Sequence, residues 1–537
     1  MRENVRFSYA VVIATPLLVA VTATANAQIA VQGGQSAGAT TRLAEITVTA
    51  ERIAMPESRV PVSIVAYTRA NLDRRGIENI QDLALQTPGI TYSQTSIGNN
   101  QISIDGISST VGAQTTGIYL NDTPIQVRNA GYTSSNVYPI IFDLARVEVL
   151  RGPQGTLFGA GSEGGAIRFI TPRPNFSRYS VYARTDLSTT SHGGPNHDAG
   201  LAVGGPIISH RLAFRGSAYF RQTGGYINLV NPRTGQLLDA NVNRSNSQAE
   251  NLSFAYRPLS ALTITASVYQ QYIDANSNDQ TWWEQLSNAS QGRFATGNLL
   301  PSPLYDRLVL PSLNVEYDFR RVRVISNTSY MHRHSVGHPD YSEFLHYLLT
   351  GNPYPTSSSQ WAEGNFLDTQ KYFTEELRAQ SANPNARLIW VAGLFYNKDT
   401  QSDEELVSMP NLPAVFFAAH GFSYIDYYGN PLGPGNSVYT DVENIRDQQV
   451  AEFGQISYKV IPKLTLTAGV RVAQYRYSFR SQNAGPFAGV STNSGSTTET
   501  SVAPKYGVSY QLNHGNMFYV NVSKGGSVEK RVGYAAA

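Results

Sequence analysis

Gly159, Gly161 and Gly164, in the stretch "GAGSEGG", spell G-x-G-x-x-G, a spacing at which backbone N–H groups can cradle a dinucleotide pyrophosphate. That chemistry needs a strand before the glycines, a helix opening from them and an acidic residue about 20 residues on. Here "AIRFIT" follows, with Ile167, Phe169 and Thr171 alternating with Arg168 and Ile170, which is the period of a strand. No G-K-[ST] follows either, so the glycines read as turns between two strands. A second group, "HRHSVGHPDYSEFLH", brings His332, His334, His338 and His346 close in sequence to Asp340 and Glu343, donor types that a metal ion can use. Their spacing matches no closed site, and no metal or other cofactor is expected. G-x-S-x-G and H-E-x-x-H are absent and the histidines lack evident nucleophile partners, so the chain is not expected to be an enzyme.

The 537 residues carry 41 basic and 39 acidic side chains, only 15% charged overall, so nothing favours nucleic acid as a partner. Cysteine is absent, which excludes disulfides and cysteine-ligated zinc or iron–sulfur centres. Arg2 and Arg6 precede the apolar run "YAVVIATPLLVAVTATA", which ends in Ala25-Asn26-Ala27. This is the pattern of a secretory signal peptide over residues 1–27. No later apolar run reaches the roughly 18–20 residues of a membrane helix. If the exported chain spans a membrane, it must do so as a closed β-barrel.

From about residue 178, thirteen segments of alternating polarity recur, beginning with "YSVYARTDLS" and ending with "MFYVNVSKG". The joins between them alternate short and long. "ISH", "LSA", "RR", "NPNAR", "IPK" and "NHGN" are the short set. An outer-membrane barrel segregates its connections this way, with short periplasmic turns and long extracellular loops, whereas a soluble sandwich has no reason to. In "LTLTAGVRVAQYRYSF", Leu464, Leu466, Ala468, Val470 and Val472 would face lipid, and Thr465, Thr467, Gly469 and Arg471 the lumen. The aromatics Tyr475, Tyr477 and Phe479 then fall on the other parity, through a bulge at Ala473–Gln474 or because the strand leaves the membrane there. Residues 59–176 differ: one helical stretch with Ile77, Ile80, Leu83 and Ala84 at helical spacing, then the short strands "ISIDGI", "GIYLND", "RVEVLRG" and "AIRFIT".

"RVEVLRGPQGTLFGAGSEGGAIRFITPRP" closely resembles the end of the plug domain of TonB-dependent outer-membrane receptors, and "IQDLALQTPGI" and "ISIDGI…GIYLNDTPI" resemble its middle. "FTEELRAQS", "FGQISYKVIPKLTLTAGVRV" and "MFYVNVSKG" look like successive barrel segments of that family. The resemblance implies a mixed α/β plug domain (59–176) followed by an antiparallel transmembrane β-barrel (177–537). Before them would lie a flexible N-terminus (28–58) carrying a TonB box. "LAEITVTAER" resembles that box, with Glu45, Ile46, Thr47, Val48, Thr49 and Ala50 as an extended segment to which a partner could add as a strand. Only about fifteen residues separate it from the cleavage site, so the signalling domain of some relatives is not expected. The family's partners would be the TonB–ExbB–ExbD complex, outer-membrane lipid and a small-molecule ligand taken up by a monomer.

Family frequency makes a ferric siderophore the default ligand. Cobalamin, a sugar or another small amphipathic molecule is the alternative, as is a non-transporting surface protein that binds glycans. By resemblance, Arg151 matches a plug arginine that pairs with a barrel glutamate, Glu376 matches that glutamate, and Glu163 is a further candidate. Trp282, Trp283 and Trp361 would contact ligand from the loops. The family's barrel has about 22 strands and only about 13 are encoded here. The expectation is therefore a receptor truncated at its C-terminus, whose open sheet would not insert by itself as a working transporter.

Overall fold

The structure is a computed structural model. It describes residues 46–525 apart from 97–98, 109–111, 127, 129–135, 137, 160, 232–233, 278–293, 353–358 and 514. The expected signal peptide, Glu45, Trp282 and Trp283 lie outside the described residues.

All thirteen alternating segments are strands of one antiparallel sheet whose spatial order follows the sequence, from Ser180–Thr189 to Met517–Ser523. Each outermost strand has one neighbour in that sheet among the described residues. The sheet wraps the plug, because its early and late strands both reach it. Arg215 Nε donates to Asp143 Oδ2 (2.8 Å), and Ser523 Oγ donates to the Pro153 carbonyl (3.0 Å).

The short joins fall where the sequence places them, such as residues 260–261 and 462–463. The join after Leu464–Ala484 does not stay long. That strand and the next, Ser491–Gln511, both run past the segment expected to cross lipid, leaving only residues 485–490 between them. The added residues, "STNSGSTTET", have no apolar face, so alternation could not reveal them. Nor is there a bulge at Ala473–Gln474. Ala451↔Ala473 and Val450↔Gln474 pair in unbroken register, and the buried side chains continue on one parity through Arg471, Ala473 and Tyr475. The strand therefore continues with its phase intact and turns Tyr475 inward. On its other face Leu466, Val470 and Val472 are exposed, as a lipid-facing row requires. No helix among the described residues is long and apolar enough to cross a membrane.

The plug is built on a five-stranded sheet in the order Ser63–Thr68, Arg146–Arg151, Gly165–Ile170, Thr116–Leu120, Thr123–Pro124. Its predicted helical stretch is two helices. Arg69–Arg75 stops at Gly76, which takes a left-handed φ of 62°, and Ile80–Gln86 restarts where the Asn79 side chain accepts from Asp82 N (2.9 Å). Ile77, Ile80, Leu83 and Ala84 are buried as their spacing predicts, against Val147 and Val149 of the sheet. The opposite face of the strand Arg146–Arg151 presents Leu150 to Phe158 and to Phe395 and Phe453 of the barrel wall.

The glycine stretch lies between the one-turn helix Gly155–Phe158 and the strand Gly165–Ile170. Gly165 has φ 154°, and a Cβ there would collide with the Leu150 carbonyl oxygen. Its role is close backbone approach between strands. Gly165→Ala should destabilise the plug by about 1–3 kcal/mol. Denaturant unfolding of the detergent-folded chain measures this, and an unchanged midpoint would refute it.

Candidate functional site

The segment Ile46–Ala50 is docked rather than free. Thr47↔Pro56 and Val48↔Met55 form a two-residue antiparallel hairpin, with Val48 and Ala50 buried among Val60, Val62 and Leu157. The expected flexible N-terminus is thus packed against the plug from residue 46 onward. An apolar residue at every second position has a surface to cover here, and Glu148 satisfies the adjoining backbone by accepting from Thr49 N (2.8 Å).

The next two residues tie this segment to the barrel wall. Glu51 Oε1 accepts from Lys505 Nζ (2.9 Å) and Gln455 Nε2 (3.2 Å). Arg52 donates to three groups: Nη1 to Asp122 Oδ1 (3.0 Å), Nη2 to Glu376 Oε2 (3.1 Å) and Nε to the Leu157 carbonyl (3.3 Å). Its φ is 63°, a left-handed conformation that costs a side-chain-bearing residue about 1–2 kcal/mol. The ion pairs hold it there. Arg378 closes the ring, with Nη1 on Glu376 Oε1 (2.5 Å) and Nη2 on Asp122 Oδ2 (2.8 Å). Arg168 continues it into the plug through Asp122 Oδ1 (3.0 Å) and Glu148 Oε2 (2.7 Å), and donates to the Thr49 carbonyl (2.9 Å).

Nearly every member is buried, Glu148 and Glu376 at 0% and 1% exposure, so each charge depends on its partners. Burial opposes ionisation of Asp122, but Arg378, Arg52 and Arg168 outweigh it and hold its carboxyl well below the usual range. Glu148 is lowered in the same way: burial raises it, and Arg168 and Arg146 more than compensate.

The expected Arg151–Glu376 pair does not form. Side chains alternate along Arg146–Arg151, so Arg151 shares the helix-facing side of Val147 and Val149, where its Nη1 donates to the Pro88 carbonyl (3.3 Å). Glu376 lies toward the other face, that of Glu148 and Leu150, and there Arg52 takes the place assigned to Arg151. Glu163 lies beside Gly525, near the last strand. The sequence carried one signal for Arg52, its place in the charged pair Glu51-Arg52 that ends the uncharged alternating stretch 46–50, but nothing that named its partner.

Two cavities flank this network. At the short-turn end, about 610 Å³ is lined by Glu51, Met55, Arg59, Lys459 and Lys463. Toward the long-loop end, about 490 Å³ lies between the plug residues Asn79 and Tyr138 and the wall residues Arg221, Asn243 and Gln271. Trp361 is half-buried just before the strand Glu363–Ser381, at that same end. The histidine group does not converge. Asp340 accepts from Leu299 N (2.6 Å) and Ser342 N (2.9 Å), and His346 Nδ1 bonds the Asn352 carbonyl (2.7 Å). These residues shape the loop helix Ser342–Thr350, and no group of three or more potential ligands is placed to hold a metal among the described residues.

Removing one partner of a buried pair strands the other. Arg52→Ala and Glu376→Gln should each cost about 3–5 kcal/mol, and the double variant should cost clearly less than the sum. Denaturant titration of the three proteins tests this, and additive losses would dissolve the proposed link. Because the folded-state carboxyl of Asp122 is depressed, its contribution is complete above about pH 5 and declines as pH falls below about 4. The same titration run against pH should show that decline, and Asp122→Asn should flatten it.

Residues 56–166 match the family described as the TonB-dependent Receptor Plug Domain, and residues 317–528 match the TonB dependent receptor-like beta-barrel. Over 159 residues the chain is 35% identical to the ferripyoverdine receptor of Pseudomonas aeruginosa, covering 30% of this chain and 18% of that one. Over 191 residues it is 30% identical to a probable TonB-dependent siderophore receptor, PirA, of Acinetobacter baumannii, covering 32% and 24%. The matches thus span roughly a fifth of the length of these curated relatives. Among solved structures, the ferric yersiniabactin uptake receptor FyuA of Yersinia pestis superposes with a TM-score of 0.68 at 16% identity, over 87% of this chain and 64% of that one. The Pseudomonas aeruginosa outer-membrane ferripyoverdine receptor superposes with a TM-score of 0.63 at 18% identity, over 88% and 58%. At such identities the superpositions speak for the fold, while the plug and barrel matches, in family order over this plug and sheet, identify the chain as a member of the TonB-dependent receptor family.

Proposed function

We propose that this chain serves energised uptake of a ferric siderophore across the outer membrane, coupled to TonB through residues 45–50. One observation carries the reading. The residues that immediately follow this segment, Glu51 and Arg52, bind the barrel wall at Lys505 and Glu376 while Arg52 also binds the plug at Asp122. A pull on the segment is therefore delivered first to the contacts that fix the plug in the barrel. In the docked state Val48 is buried and the Thr47–Val48 edge is paired, so strand addition by a partner requires release of the segment. On this reading the short-turn cavity faces the periplasm and the long loops face outside. The receptor breaks no covalent bond; force replaces chemistry. The siderophore assignment draws on the relatives named for ferripyoverdine and ferric yersiniabactin.

Deletion of residues 45–50 should abolish uptake of a radiolabelled ferric siderophore by iron-starved cells while leaving ligand binding at the cell surface intact. Uptake at the full rate in the deletion strain would remove the segment as the coupling site.

A further inference from the structure

The lumen wall above the plug is acidic in a patterned way. Asp368↔Asp403 and Asp399↔Asp447 stand directly opposite on neighbouring strands, and Asp403↔Glu443 adds a third such pair. Opposed like charges destabilise a sheet unless something offsets them. Part of the offset is present: Arg333 Nη1 lies 3.5 Å from Asp368 Oδ2, and Arg128 Nη2 lies 3.2 Å from Asp447 Oδ2. Asp399 is 6% exposed and has no ion pair among the described residues. Its Oδ2 accepts from Gln370 Nε2 (2.9 Å), while its Oδ1 accepts no hydrogen bond among them.

That orphaned oxygen belongs to a residue lining a cavity of about 90 Å³ between the plug (Gln126, Arg128) and the wall (Tyr372, Asn397, Asp399, Asp447). The Asn397 Oδ1 atom likewise accepts nothing among the described residues, because its amide nitrogen is directed to the Tyr372 hydroxyl (2.5 Å). The cavity thus holds unfilled acceptors beside two aspartates and a single guanidinium, that of Arg128, which pairs with Asp447. The complement is a compact cation that carries several N–H donors. Since no group of three or more potential ligands is placed to hold a metal ion among the described residues, an organic cation fits better than a bare ion.

We infer that Asp399 and Asn397 form a subsite for an alkylammonium group of the transported ligand, reached along the rungs Asp403–Glu443 and Asp399–Asp447 from the long-loop end. This deepens the uptake reading, on which it rests for the transported ligand and its direction of entry.

The test is isothermal titration of the full detergent-folded chain with 1,5-diaminopentane and, separately, with its neutral analogue 1,5-pentanediol. The diamine should bind saturably and the diol should not. Asp399→Asn should weaken the diamine by about tenfold, and Glu404→Gln, on the opposite side of the same strand, should leave it unchanged. Asn397→Ala, which removes an acceptor without altering charge, provides a second variant, and unaltered heat-modified gel mobility certifies the fold of each. Equal binding of diol and diamine would overturn the assignment. So would wild-type affinity in both Asp399→Asn and Asn397→Ala, or displacement of the diamine by equimolar calcium. Titration requires no energy source, so its failure is distinct from failure of the coupling test on residues 45–50.

Discussion

A strand that crosses a bilayer can place its N–H and C=O groups only on another strand. The rest of this molecule follows from that constraint. Thirteen strands among the described residues pair in chain order, and their outward rows, such as Leu466, Val470 and Val472, are apolar and exposed, as lipid-facing rows must be. The inward rows are then free to be polar. A wall of Asp, Gln, Arg and Tyr side chains surrounds a plug that presents charges to it.

The plug is consequently held by electrostatics as well as by packing. One face of its sheet meets Phe395 and Phe453 through apolar contact, yet the connection that reaches the N-terminal segment is the ring of Arg52, Asp122, Arg378 and Glu376. Buried charges of this kind add little net stability relative to apolar packing, but they are intolerant of the loss of one member. Such a link is firm at rest and fails as a unit when a single residue is displaced. That is a suitable property for a segment whose proposed task is to transmit force.

Much of this was legible from residue order. The alternation located every strand of the sheet, because period-two polarity records which side faces lipid, and the helical spacing of Ile77, Ile80, Leu83 and Ala84 marked a buried face. Strand ends beyond the lipid band were not legible, since "STNSGSTTET" pairs through its backbone and needs no apolar face. The break between the two plug helices was also missed, for Ile77, which lies in it, keeps the apolar spacing of the second helix. The nucleotide-like glycines proved to be a matter of backbone approach, as Gly161 against the Gln114 carbonyl and Gly164 against the Ile104 carbonyl show.

Resemblance paired Glu376 with Arg151, whereas in the fold its partners are Arg52 and Arg378. Position 151 lies on the odd parity of its strand and so points toward the helices, whereas Arg52, about 320 residues from Glu376 in the chain, is brought to it by the docked N-terminal hairpin. The sequence by itself determined the class of architecture and the alternating rows of the strands, because each is written in local periodicity or a local motif. Which charges meet, and that Asp399 and Asn397 share one cavity, was decided by tertiary structure alone. Ion pairing depends on distance in space between residues far apart in sequence, and no local pattern encodes that distance.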